Sequence, residues 1–354
     1  MDKVLEYLKR AVEDKASDLF IVAGGPVCMK LEKRMRPISE ERVFPQETQE
    51  LITGIYALAD RGMEPFLQRG DDDFSFSVPG LARFRVNAYR QRGSLAAVVR
   101  VVAFSIPDWS GLHIPEAVME LSNVTHGMVL VTGTAGSGKS TTQACIIDRI
   151  NNTRDCHIIT LEDPIEYLHR DKKSIISQRE IAIDTEDYLS ALRACLRQAP
   201  DVILLGEMRD QETIRTAMTA AETGHLLIAT LHTKGAVNTI DRIVDTFPAG
   251  QQDQIRVQLG MVLHTVVSQQ LLPDVDGGLV PAYEIMHMNP AIRNLIRERK
   301  SEQIGNVIAA GEKEGTGMMS MDQSIMALYK NGRITAETVL HFADNPEQLK
   351  RRLG

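Results

Sequence analysis

The chain has 354 residues, 43% hydrophobic and 25% charged, an ordinary globular composition that excludes a collagen-like, disordered or disulfide-scaffold chain; at about 150 residues each, two to three domains are expected. Forty Lys and Arg against 47 Asp and Glu leave a formal charge of −7, which argues against a general nucleic-acid footprint. No apolar run reaches the roughly 18 residues of a membrane span, and the start, Met1-Asp2-Lys3-Val4-Leu5-Glu6, lacks the apolar region of a signal peptide, so a cytosolic chain is expected.

Val4, Leu5, Leu8 and Val12 form a helical stripe, followed by a short strand from Leu19 to Ala23 that Gly24-Gly25-Pro26 stops and a second strand from Val27 to Leu31. Residues 46–68 read as helical. Residues 73–78 alternate, break at Pro79-Gly80 and alternate again from Ala82 to Tyr89, a hairpin with a longer loop, and a further strand covers 94–102. Residues 105–113 hold Pro107, Gly111 and the one Trp, and read as a linker. From about residue 119 the pattern becomes strand 128–132, helix 140–150, strand 157–161, helix 186–198, strand 202–205, helix 211–222, strand 226–231 and helix 236–246. That alternation predicts a mostly parallel sheet covered by helices. In helix 186–198, Tyr188, Leu189, Leu192, Cys195 and Leu196 share a face. The tail from about 290 reads as helical, with Gly311, Gly315 and Gly317 in one turn. Cys28, Cys145, Cys156 and Cys195 are far apart and form no C-x-x-C pair, as expected of small reduced thiols.

The most specific motif runs through Gly133, Thr134, Ala135, Gly136, Ser137, Gly138, Lys139 and Ser140, and matches G-x-x-x-x-G-K-[ST] at every fixed position. An apolar run precedes it and a helical pattern follows. The glycines let successive N–H groups curl around a phosphate, and the helix N-terminus adds positive charge. Lys139 is expected at the β- and γ-phosphates, and Ser140 on Mg²⁺. Bound nucleotide, ATP with Mg²⁺, is therefore expected.

Two strands then end in acids. Residues 201–207 run into Gly206-Glu207, where many such enzymes carry Asp then Glu; Glu207 is expected to hold the metal through water. The run Thr160-Leu161-Glu162-Asp163-Pro164 follows strand 157–161, at the carboxyl edge of the sheet where ligands bind. Glu162 is the expected activator of the attacking water; the plainer reading is a turn made by Asp163-Pro164. His225 and His232 bracket a strand and lie about 23 Å apart by strand rise, too far to share one metal. His232 at its carboxyl end can meet a γ-phosphate, whereas His225 suits a structural or interfacial place. Phosphoryl transfer also needs positive charge on the transition state, often from another domain or subunit. In strand 82–89, Phe84, Val86 and Ala88 share one face, and Arg83, Arg85 and Asn87 the other. That pair of arginines suits a phosphate, or else a solvated strand face; Arg90, Arg92 and Arg100 are weaker candidates.

GTAGSGKST (133–141, ending in Thr141), TLEDPIEY (160–167), DVILLGEMRD (201–210), ETGHLLIATLHT (222–233) and AIRNLIRE (291–298) together resemble the secretion-type ATPases, most closely their type IV pilus retraction branch. ASDLF at 16–20 and FSFSVPGLARFRVNA at 74–88 extend the resemblance over nearly the whole chain. It implies an α/β chain: a PAS-like α+β domain at 1–105, a linker at 106–118, and a RecA-like P-loop ATPase domain at 119–354 whose C-terminal helical segment is 290–354. It further implies a homohexameric ring that hydrolyses ATP to retract a pilus. In it Glu162, Glu207, His225 and His232 match the family's acidic and histidine boxes, and Arg83 and Arg85 its N-terminal arginines. The implied partners are an inner-membrane pilus platform protein and a paralogous retraction ATPase, with no nucleic acid. The implied location is cytoplasmic, at the inner face of the membrane through the pilus machine. Residues 291–298 match a segment needed for retraction; read bottom-up, they are a helix that packs Ile292, Leu295 and Ile296 and turns Arg293 and Arg297 outward.

The sequence also departs from that branch. Phe20 stands where retraction motors usually have His, and Thr134 where they have Pro. Phe20 and the tail HFADNPEQLKRRL are similar to the accessory retraction ATPases, a catalytically weaker, nucleotide-locked kind; a DNA-handling RecA-like ATPase is a more distant alternative. The chain shows neither the extra N-terminal domain nor the tetracysteine zinc site common in assembly ATPases, which counts against an extension motor.

Overall fold

The computed structural model describes residues 2–31, 34–39, 41–102, 106–311 and 314–353. The chain divides into two compact units, Met1–Ser105 with Glu166–Leu168, and Ile106–Ile165 with His169–Gly354.

The first unit contains α1 (Asp2–Glu13), β1 (Asp18–Ile21), β2 (Cys28–Leu31), β3 (Arg34–Pro37), α2 (Pro45–Leu58), α3 (Glu64–Arg69), β4 (Asp71–Val78), β5 (Ala82–Gln91) and β6 (Ser94–Val102). Its six strands form an antiparallel sheet in the order β3-β2-β1-β6-β5-β4. Leu8 of α1 and Ile52 and Ile55 of α2 meet Leu19, Phe84 and Val86 of the sheet in one core. This is an α+β unit. The helical stretch expected over 46–68 is present as α2 and α3, with one break between them. The chain turns at Asp60, which takes a left-handed φ of 49°, and Arg61 N–H closes back on Tyr56 at 3.0 Å. Pro65 then opens α3, where its missing N–H costs nothing. Strand β3 was not expected: all its residues are exposed, so no buried alternation marks it in the sequence.

The second unit contains α4 (Glu116–Met119), β7 (Gly127–Thr132), α5 (Lys139–Thr153), β8 (His157–Glu162), β9 (Ile175–Glu180), α6 (Tyr188–Cys195), β10 (Val202–Leu205), α7 (Gln211–Glu222), β11 (Leu226–Leu231), α8 (Ala236–Asp245) and α9 (Ala249–Val262). The hairpin β12 (Leu263–Pro273) and β13 (Leu279–His287) follows, then α10 (Pro290–Arg297), α11 (Ile304–Gly311), α12 (Met321–Lys330), α13 (Ala336–Phe342) and α14 (Pro346–Leu353). The seven strands lie in the order β13-β12-β7-β11-β10-β8-β9. All neighbours are parallel except β13 on β12. Strands β7, β10 and β11 are buried along their whole length, as befits a sheet with helices on both faces. Asp187 and Asp210 start α6 and α7 by accepting the Ser190 and Thr213 N–H groups at 2.8 and 2.9 Å.

Residues 106–118 fold within this unit. Ile106, Trp109 and Leu112 pack against a core that includes Ile114, Val118 and Ile146, because apolar residues in that stretch have a face of the sheet to cover. In α10, Ile292 and Ile296 are buried, Arg293 and Arg297 are exposed, and Arg293 Nε donates to Gly260 O at 2.7 Å. Gly311 ends α11, and Gly315 and Gly317 turn the chain (φ 65° and 78°) toward Met319, which bridges to Ile285. Burial pushes the thiols of Cys145 and Cys195 up to about 11. Among the described residues no helix is long and apolar enough to cross a membrane.

Candidate active site

Strand β7 lies inside the parallel sheet between β12 and β11, so the turn that leaves it at Thr132 emerges at the carboxyl edge. Three glycines shape that turn: Gly133, Gly136 and Gly138 take φ of 141°, 77° and 89°, values that a side chain rarely permits. Gly138 leads directly into α5. Lys139 is buried, and its Nζ donates to Gly133 O at 2.9 Å and Thr134 O at 3.0 Å. The charge is thus folded back over the loop it follows. Ser137 Oγ is buried with no hydrogen-bond partner among the described residues, a hydroxyl inside the curl for which a phosphate oxygen would supply one. Gln269 of β12 holds the loop from outside: its Oε1 accepts from Thr142 Oγ1 at 2.8 Å, and its Nε2 would lie 2.7 Å from a Cβ at position 138. Sequence reasoning missed Gln269, because no local pattern links it to the loop. Beside Gly138, Thr141 and Thr142 opens a cavity of about 410 Å³ walled by Leu112, Leu271 and Tyr283.

The two acids leave the sheet side by side. Strands β8 and β10 pair in parallel, Leu161 opposite Leu205, so Glu162 and Gly206-Glu207 follow at the same edge. Glu162 Oε1 accepts from Thr160 Oγ1 at 2.6 Å and Gln178 Nε2 at 3.1 Å. The Asp163-Pro164 peptide beyond it is cis. Position 206 has no room for the usual aspartate: a Cβ there would lie 2.8 Å from Tyr188 Oη and 3.0 Å from the Leu161 carbonyl oxygen. Gly206→Asp is therefore expected to destabilise the protein by about 1–3 kcal/mol through overpacking. The denaturant midpoint reads this directly, and an unchanged midpoint would show that the backbone yields. The Tyr188 phenol is pushed above its usual range, first by burial and then by the charges of Asp163, Glu207 and Glu162. It stays protonated among three carboxylates.

Glu207 Oε2 meets Arg209 Nη2 at 2.7 Å and Glu207 Oε1 meets His232 Nε2 at 3.1 Å. Burial alone would raise the Glu207 carboxyl, but the hydrogen bond and charge of Arg209, with His232 adding to them, hold it below the usual range. Arg209 was not among the expected site residues; only its neighbour's carboxylate gives it a place. His225 lies at the opposite end of β11, where its Nδ1 meets Ala220 O at 2.9 Å and Thr223 Oγ1 at 3.2 Å. The structure thus joins His232 to Glu207 and leaves His225 in the turn after α7.

In the first unit the expected faces of β5 are present: Phe84, Val86 and Ala88 are fully buried while Arg83 and Arg85 are half-buried on the other side. Arg83 Nη1 donates to Ser77 Oγ at 3.5 Å. Arg85 stands opposite Arg100 in the β5–β6 register, and both line a small polar cavity with Asp18, Asp73 and Asn87. Asp18 neutralises Arg100 at 3.0 Å. Arg90 is near the end of β5, and Arg92 is in the β5–β6 turn with φ 49°.

Residues 3–349 match the family described as type II/IV secretion system protein. The chain belongs to that family. Within it, the chain is 44% identical to the type IV pilus retractation ATPase PilT of Pseudomonas aeruginosa, over 97% of this chain and 99% of that one. It is 43% identical to a twitching motility protein of Neisseria gonorrhoeae over 98% and 92%, and 37% identical to the type IV pilus ATPase PilU of Pseudomonas aeruginosa over 98% and 90%. Among solved structures, that of the pilus retraction motor PilT with bound ADP superposes with a TM-score of 0.90 at 45% identity, covering 98% of each chain. The family member described here shares its architecture along essentially the full length.

Proposed function

We propose that this chain is an ATP hydrolase that powers type IV pilus retraction, and hence twitching motility, as a homohexamer. The observation that carries the proposal is that β7, β11, β10 and β8 run parallel in one sheet, so that the phosphate loop, His232, Glu207 and Glu162 all follow from its carboxyl edge. The full-length likeness to retraction ATPases supports the choice of motor. The loop N–H groups of 133–141 and the start of α5 cradle the β- and γ-phosphates, and Lys139 turns from its own loop carbonyls to them. The cavity beside Gly138 and Thr141 has the size for the nucleoside. Water attacks the γ-phosphorus, the bond to the bridging oxygen breaks, Glu162 accepts the proton, and ADP and phosphate leave. Ser140 and Glu207 offer hard oxygen donors, one of them a carboxylate held ionised, and these fit magnesium. Magnesium, when bound, neutralises phosphate charge. His232, hydrogen-bonded to Glu207, is placed to register loss of the γ-phosphate.

Arg83 and Arg85 supply positive charge to the developing phosphoryl-transfer transition state, and ATP hydrolysis drives the machine. The partners are an inner-membrane platform protein and a paralogous retraction ATPase, with the ring in the cytoplasm at the inner face of the membrane. Arg83→Ala and Arg85→Ala are each expected to lower kcat about 10²-fold with ATP binding largely retained; intact turnover would reduce that arginine to a surface charge. Steady-state hydrolysis by the purified chain, with oligomer mass on the same samples, tests the whole reading. A hexamer with sustained turnover supports the motor. A hexamer that binds ATP and barely hydrolyses it favours an accessory ATPase, the reading that Phe20 and residues 341–353 support. Stimulation by DNA would favour DNA handling.

A further inference from the structure

We infer that Gln178 on β9 is a positioning residue for Glu162, holding one carboxylate oxygen so that the other faces the attacking water. The inference rests on the proposed role of Glu162 as proton acceptor. Strand β9 is the last strand of the seven-stranded sheet and pairs in parallel with β8, with Gln178 opposite Thr160. Thr160 and Glu162, two residues apart, share a face of β8, so the Gln178 amide reaches the same carboxylate as the Thr160 hydroxyl. Gln178 Oε1 accepts the backbone N–H of His169 at 2.8 Å. That bond decides which way the amide points, because a backbone N–H can meet only its oxygen. The NH₂ end is therefore committed to Glu162 Oε1, at 3.1 Å, and Thr160 Oγ1 donates to the same oxygen at 2.6 Å. A carboxylate gripped at one oxygen by two donors loses rotation about its last torsion, and proton transfer depends on that direction. Packing does not demand the amide: Gln178 is only half-buried on an edge strand, where a methionine of similar length would fill the same space.

Steady-state hydrolysis and ATP binding would be measured for Gln178→Met, Gln178→Glu and Glu162→Gln, with hexamer mass and melting temperature alongside. Gln178→Met keeps the bulk and removes the amide; kcat should fall about tenfold, the loss of one hydrogen bond to a charged group, with KM and ATP affinity within twofold of the parent. Gln178→Glu keeps an acceptor for His169 N–H but sets a like charge against Glu162, so its kcat should fall further than that of Gln178→Met. A merely structural role for β9 predicts the reverse order, since glutamate is the closer isostere. The inference is overturned if Gln178→Met keeps kcat within twofold, if Gln178→Glu is the more active of the two, or if the loss comes with a collapsed melting temperature or hexamer. Intact turnover in Glu162→Gln would instead overturn the role of Glu162 itself, and the inference with it.

Discussion

Replacing Glu162 by glutamine is expected to lower kcat for ATP hydrolysis by about 10²–10⁴-fold, the range of a general base, while ATP affinity and hexamer mass stay as in the parent. The substitution keeps the side chain's size and one oxygen to accept from Thr160 and Gln178, which donate to Glu162 Oε1. What it removes is the capacity to take a proton. The effect should fall on kcat, because nothing in the phosphate loop is touched and the ground state needs no base. A competing expectation gives the base role to Glu207. Its carboxylate is tied to Arg209 and His232 and held below the usual carboxyl range, which weakens it as a proton acceptor. Single-turnover kinetics with each Glu→Gln variant separates the assignments; unimpaired chemistry in Glu162→Gln would move the base elsewhere.

Lys139→Ala should abolish tight ATP binding and reduce turnover about 10³-fold or more, the scale of removing a preorganised charge from a phosphoryl-transfer site. Lys139 is buried and satisfies two loop carbonyls, so alanine leaves both without that donor; Gly133 is buried and Thr134 exposed, so the roughly 1–3 kcal/mol cost of an unpaired buried group falls on the Gly133 carbonyl alone. A fall in melting temperature is therefore expected too. Lys139→Gln, which retains a donor of similar reach, should recover part of the stability but not the affinity. Binding of a fluorescent ATP analogue together with thermal unfolding distinguishes the two effects. ATP affinity unchanged in Lys139→Ala would remove the loop from nucleotide binding altogether.

Much of the site was legible in residue order, because the phosphate loop carries its chemistry in consecutive residues. Likewise an acid that follows a short apolar run marks the carboxyl edge of a parallel strand, as Glu162 and Glu207 do. The outward face of Arg83 and Arg85 followed from period-two alternation on β5. Strands β3, β9, β12 and β13 escaped because their burial does not alternate cleanly: β3 is wholly exposed, β9 is an edge with Arg179 and Glu180 in it, and β12 buries Ser268 and Gln269 among apolar neighbours. The break inside the helical stretch 46–68 was not legible, because it rests on a left-handed Asp60, a conformation no propensity announces for that residue with any force.

The amino-acid order alone determined the curl of glycines at 133–141 that runs into a helix N-terminus, the geometry that suits a polyphosphate, since it is local and needs no distant partner. It determined the alternation of strand and helix for the same reason. Only the tertiary structure decided what surrounds the reacting groups. Gln178 reaches Glu162 across 16 residues and Gln269 reaches Thr142 across 127, through strand pairings that no local pattern encodes. Arg209 and His232 are 23 positions apart in the chain yet grip one carboxylate, because β10 and β11 run side by side and end at the same edge. His225 shares its motif with His232 but lies at the other end of the same strand, since six strand residues between them carry the chain across the sheet.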